Sequence, residues 1–107
     1  MENQNKKIEE MQILEQKLQN FFHQKQSFQM EFSETQAALK EIKDSKDDVF
    51  KVVGQLMIKT DKSKVGEELS NKEKILDLRI KAIEKQENPL MEELGKLREE
   101  VMRTMKK

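Results

Sequence analysis

Val49-Phe50-Lys51-Val52-Val53-Gly54-Gln55-Leu56-Met57-Ile58-Lys59-Thr60 is the stretch that decides how the rest of this chain is read. Two short runs of β-branched and apolar residues flank Gly54-Gln55, and such runs favour the extended conformation. A type II′ hairpin turn requires positive φ at its first central residue, where glycine meets no steric penalty. The stretch therefore predicts a β-hairpin with strands at about 49–53 and 56–60.

Outward from it the pattern changes on both sides. Asp44-Ser45-Lys46-Asp47-Asp48 is a polar helix stop and turn. Before it, about 3–43 contains neither Gly nor Pro and carries two heptad rows, Met11, Leu18, Lys25, Phe32, Leu39 and Leu14, Phe21, Phe28, Thr35, Ile42. Eight of these ten positions are apolar. At about 1.5 Å per residue this helix is roughly 60 Å long. After the hairpin, Asp61 is placed to N-cap a second helix over about 62–106. Its first row is Leu69, Leu76, Ile83, Leu90, Leu97; the second, Glu73, Ile80, Glu87, Leu94, Val101, is less complete. Asn88-Pro89 interrupts it, and an interior proline deletes a backbone hydrogen bond. A kink or short break is expected there, with Asn88 capping a restart and Glu92 and Glu93 in its first turn. The fold class is mainly α: one domain over 1–107, a long antiparallel two-helix coiled coil joined by a short β-hairpin, with both termini at one end.

Composition agrees. Apolar residues make up 35% and charged residues 39%, which suits narrow apolar seams on solvated helices rather than a thick core. The 21 basic and 21 acidic residues cancel, against a general nucleic-acid or anionic-membrane binder. There is no cysteine, hence no disulfide or thiol chemistry. No apolar run reaches the length of a membrane span, and a cytoplasmic location is the expectation.

The hairpin carries Val49, Phe50, Val52, Val53, Leu56, Met57 and Ile58, more apolar surface than two helices can cover. An isolated two-stranded hairpin is marginal in water and has unpaired edges. One solution is pairing with hairpins of other subunits in a shared sheet or barrel; the other is a monomer whose hairpin folds onto the helix bases. Near the chain ends lie Ile8, Met11 and Ile13, and Val101, Met102 and Met105. Helix ends fray, and methionine suits surfaces that accept many shapes, so these residues are candidates for weak contact with exposed apolar groups. They are equally readable as ordinary seam residues at a ragged end.

Catalytic chemistry finds no support. His23 is the one histidine and falls on a solvated helix face, so the usual zinc patterns are absent and no metal or cofactor is expected. Gly54 and Lys59-Thr60 lack the second glycine of a phosphate loop. Lys25 is a charge in a seam row; in an antiparallel hairpin it falls opposite Glu84 or Glu87, pairing there or reaching out to solvent.

Certain stretches carry a likeness beyond these patterns. They are Gln24-Lys25-Gln26 and Glu34-Thr35-Gln36-Ala37-Ala38-Leu39 in the first helix, Val49 to Leu56 in the hairpin, and Leu76-Asp77-Leu78-Arg79 with Glu84-Lys85-Gln86-Glu87 in the second helix. Over about 8–103 the chain resembles the beta-type subunits of prefoldin (GimC), archaeal ones in particular; a single hairpin fits the beta type, since the alpha type has two. Phe50 stands where that family usually has tyrosine, and Asn88-Pro89 departs from its smooth helix. The resemblance implies an ATP-independent chaperone subunit. It implies a hexamer of two alpha and four beta subunits whose hairpins (Val49, Phe50, Val52, Val53, Gly54, Leu56, Met57, Ile58) form a double β-barrel. It further implies coiled-coil ends that hold unfolded clients through Ile8, Met11, Ile13, Val101, Met102 and Met105 and pass them to a group II chaperonin. Chaperonin contact would lie towards the same ends, where Arg98, Arg103, Lys106 and Lys107 add charge. The alternative from a different class is a coiled-coil scaffold or adaptor joining defined partners.

Overall fold

The computed structural model describes residues 2–105; Lys106 and Lys107, two of the charges considered for chaperonin contact, lie outside the described residues. The element order is α1 (Glu2–Asp44), β1 (Val49–Val53), β2 (Leu56–Thr60) and α2 (Lys62–Met105). Burial along α1 follows the heptad rows: Met11, Leu14, Leu18, Phe21, Lys25, Phe28, Phe32, Thr35, Leu39 and Ile42 are each at least half-shielded, in alternating steps of three and four. On α2 the same alternation links Leu69, Glu73, Leu76, Ile80, Ile83, Glu87, Leu90, Leu94, Leu97 and Val101.

The chain divides into two compact units: a terminal unit of Met1–Ser27 with Ile80–Lys107, and a hairpin unit of Phe28–Arg79. In the terminal unit the two helix segments run antiparallel. Leu14 packs with Leu94 and Leu97, and Met11, Leu18 and Leu90 close over them. Two ion pairs along the flanks hold the same alignment, Lys7 to Glu100 at 3.2 Å and Arg98 to Glu15 at 3.2 Å. Inside the seam Lys25 Nζ donates to Glu87 Oε1 at 2.7 Å. The Glu87 side chain is 9% exposed and that of Lys25 23%, so the contact is largely sheltered from water.

α2 passes through Pro89 without interruption, so the break expected at Asn88-Pro89, with Asn88 as a new N-cap, does not occur. Both residues are exposed while Glu87 and Leu90 stay on the shielded side. The proline ring thus faces water, where the Lys85 carbonyl that loses its partner can be hydrated. Seam packing on either side outweighs one missing bond.

The hairpin unit is built differently. Of the seven buried apolar residues described, six belong to the terminal unit and only Leu76 to this one. Burying such a side chain contributes roughly 1.5–3 kcal/mol, so the hairpin unit has little core of its own. Thr35 is buried too, its hydroxyl donating to the Glu31 carbonyl at 2.7 Å. Glu31 is paired with Lys72 at 3.3 Å, and the Arg79 guanidinium lies 5.7 Å above the Phe28 ring. α1 ends where the Ser45 hydroxyl accepts from the Asp47 amide at 3.2 Å. Lys62, opening α2, donates to the carbonyls of Ser45 at 2.7 Å and Lys43 at 3.3 Å. A cation on the last carbonyls of a helix offsets their unpaired charge. The Val65 amide bonds the Asp61 carbonyl at 3.0 Å, which places Asp61 at the N-cap position.

Candidate assembly and client surfaces

Gly54 has φ of 62° and no other described residue has positive φ, so the two-residue loop between Val53 and Leu56 is a type II′ turn. The register pairs Val49 with Thr60, Phe50 with Lys59, Lys51 with Ile58, Val52 with Met57 and Val53 with Leu56. Alternation along the strands puts Phe50, Val52, Met57 and Lys59 on one face and Val53, Leu56, Ile58 and Lys51 on the other. Both faces are open: Leu56 is 67% exposed, Met57 70%, and Phe50, Val52, Val53 and Ile58 are all exposed. Val49 and Thr60, at the base, are partly covered. Lys51 reaches Glu68 on α2 at 3.2 Å and Lys59 reaches Asp48 at 3.4 Å. Between the hairpin base and the helices lies a mainly apolar cavity of about 510 Å³ lined by Ala38, Ile42, Val49, Val65 and Leu69 among others. The hairpin thus approaches one flank of the helix pair without sealing against it.

In the terminal unit the six apolar end residues separate into two groups. Val101 is buried and Met11 packs on the Leu14–Leu94–Leu97 cluster, so both serve the seam. Ile8, Ile13, Met102 and Met105 are exposed, Met105 at 71%. Two further exposed residues, Phe22 and Met91, were not among those singled out from the sequence. Seven-residue steps place Ile8, Glu15 and Phe22 in one row of α1 and Met91, Arg98 and Met105 in one row of α2. The Arg98–Glu15 contact shows that these rows border the same side of the seam. One flank of the terminal unit therefore carries apolar side chains at both ends of an ion pair. The heptad positions flanking the seam were the signal, but only with the helix pairing known does it become a surface. Of the basic groups near the ends, Arg98 is held by Glu15, and Arg103 lies 3.8 Å from Glu99.

His23 is exposed, with its ring edge-on to Phe22 at 5.8 Å. Among the described residues no group of three or more His, Cys, Asp or Glu side chains is placed to hold a metal ion. No described helix is long and apolar enough to cross a membrane.

Known proteins share this architecture. The prefoldin subunit family model matches residues 5–107. Prefoldin subunit beta of Thermococcus onnurineus is 38% identical over 94 residues, covering 86% of this chain and 81% of the relative. The Thermococcus kodakarensis protein of the same name is 37% identical over 99 residues, 91% of this chain and 85% of the relative. Among solved structures, the prefoldin beta subunit from Thermococcus strain KS-1 superposes with a TM-score of 0.87 at 34% identity, covering 95% of this chain and 91% of that one. The beta2 subunit from the same strain, at 23% identity and a TM-score of 0.73, shares the fold.

Proposed function

The chain belongs to the prefoldin family, as a chaperone subunit of the beta type, and on that premise we propose that it is an ATP-independent holdase component whose coiled-coil ends grip non-native proteins. Family membership carries assembly with other prefoldin subunits. The finer reading is a cytoplasmic heterohexamer of two alpha-type and four beta-type subunits that passes clients to a group II chaperonin. In it the hairpins join edge to edge in a β-barrel through Val49, Phe50, Val52, Val53, Leu56, Met57 and Ile58, with Gly54 setting the turn. The exposure of both hairpin faces supports this, because a free two-stranded sheet of that polarity is marginal until more strands are added.

The observation that carries the client reading is the set of end residues left outside the seam, Ile8, Ile13, Met102 and Met105, all exposed. Met11 and Val101 support them from within it. Phe22 and Met91 extend the same kind of surface inward. Each such contact is weak, and several ends acting on one chain raise the effective concentration enough to hold it. The test is to remove about ten residues from each end and measure the light scattering of an aggregating client. The trimmed chain, assembled with an alpha-type subunit, is expected to keep the mass of the full assembly and lose protection. Full suppression of aggregation by the trimmed assembly would refute the reading.

A further inference from the structure

The methionines of this chain are unevenly placed. Of the six described, Met11 packs on the Leu14–Leu94–Leu97 cluster, while Met30, Met57, Met91, Met102 and Met105 are exposed. Three of those five fall on one stripe of α2. Steps of four and three residues link Met91, Gly95, Arg98, Met102 and Met105, which brings them onto one side of the helix. All are exposed, and each of the three methionines is more than half so. Arg98 reaches Glu15 across the seam at 3.2 Å, so the stripe borders the flank of α1 that carries Ile8 and Phe22. Leu94, Leu97 and Val101 lie beside the stripe and are buried in the seam. The three thioethers thus stand outside the packing that holds the helices together, and beside the apolar end residues.

A thioether is apolar and flexible, and so adapts to many apolar surfaces. Its sulfoxide is polar, and the change disrupts methionine-rich contacts. This chain has no cysteine, so its exposed thioethers are the side chains most open to a peroxide. We propose that Met91, Met102 and Met105 form a reversible oxidation site that loosens the grip on non-native proteins when a peroxide is present. The proposal rests on the reading that the coiled-coil ends hold clients, and adds the regulation of that same surface. The sulfur lone pair attacks one oxygen of the peroxide, and an S–O bond forms as the O–O bond breaks. Sulfur gives up two electrons, the departing hydroxide takes the proton from the transferred oxygen, and water leaves. Methionine sulfoxide reductases reverse the step: a dithiol supplies two electrons and two protons, the oxygen leaves as water, and the dithiol becomes a disulfide. Because the seam beside the stripe contains none of these three residues, the fold survives both directions.

The test uses the full chain assembled with an alpha-type subunit. The assembly is treated with hydrogen peroxide, the excess is destroyed with catalase, and an aggregating client is then added. Peptide mass spectrometry is expected to find one added oxygen on each of Met91, Met102 and Met105, with Met11 spared. The concentration of assembly that halves the client's light scattering is expected to rise about tenfold, as the loss of about one good apolar contact at each end implies. Mass and helical ellipticity are expected to stay unchanged, and both methionine sulfoxide reductases with dithiothreitol to restore protection. Combining Met91→Leu, Met102→Leu and Met105→Leu keeps the stripe apolar but leaves no sulfur to oxidise. That variant, compared only with itself, is expected to protect equally before and after peroxide, whereas Met30→Leu still loses protection. Unchanged protection once all three residues carry oxygen overturns the proposal, as does an equal loss in the triple variant. A fall in mass on oxidation also overturns it, since that puts the effect on the hairpin and its Met57. In each of these cases the client reading stands. Failure of the untreated assembly to suppress aggregation overturns both.

Discussion

Replacing Lys25 by leucine leaves Glu87 as a nearly buried carboxylate whose partner, now 2.7 Å away, is gone. Removing one member of a fully buried pair costs about 3–5 kcal/mol. The Lys25 side chain is 23% exposed, so water already weakens the pair, and about 2–3 kcal/mol is the fitting magnitude. For a chain of this size that lowers Tm by about 10 °C. Glu87→Leu alone costs less, because Lys25 can extend its amine to solvent. The double variant puts two leucines into a seam already lined by Phe21, Ile83 and Leu90, and is expected to match or exceed the original stability by about 1–2 kcal/mol. The four proteins form a cycle whose coupling is about 2–5 kcal/mol even before the smaller cost of Glu87→Leu is added. Urea unfolding followed by circular dichroism at 222 nm, at one fixed protein concentration, measures it. The more stable double variant also loses the one polar contact that ties α1 to a single alignment on α2 within the seam. Native mass spectrometry should therefore show added species in which helices pair between chains. If Lys25→Leu alone is as stable as the original, with coupling under about 0.5 kcal/mol, the pair does no structural work and the reasoning fails.

Val52→Asp with Leu56→Asp places two charges on opposite faces of the hairpin; the mass by light scattering is expected to fall to that of small species with helical ellipticity kept, and an unchanged mass sinks the hairpin as the assembly surface. Gly54→Val forces a β-branched residue to φ of 62°, a backbone cost of about 1–2 kcal/mol with no clash to blame, whereas Gly54→Asn should cost clearly less; equal costs in denaturant titrations would contradict the turn assignment. Pro89→Ala returns an amide to the Lys85 carbonyl and should raise stability by up to about 3 kcal/mol, read as a higher Tm, and a lower Tm would mean the ring makes contacts the chain needs.

The two helices and the hairpin between them were legible in the sequence because each signal is local. Steps of three and four between Leu14, Leu18 and Phe21 identify a helix face whatever lies opposite, and Gly54-Gln55 between two apolar runs identifies a turn. Lys25 opposite Glu87 was readable as one of two possibilities, since antiparallel pairing left one helical turn of freedom. At Pro89 the local rule is outweighed: the cost of one lost bond is real, but the flanking turns bury Ile83, Glu87, Leu94 and Leu97, and the ring faces water. The candidate surfaces were less legible. The heptad rows put Met11 in the seam and leave Ile13 and Met102 beside it, and the structure packs Met11 and exposes the other two. Phe22 and Met91 become neighbours of one flank only once Arg98 is seen on Glu15.

The bare hairpin has a consequence for the life of the subunit before it finds companions. A newly made copy displays Val52, Leu56 and Met57 to the solvent, together with two strand edges ready to bond. An unassembled copy therefore looks, chemically, like a misfolded protein. On the proposal that finished complexes grip unfolded clients, surplus copies compete for that grip, and a cell gains from making the partner subunits in matched amounts.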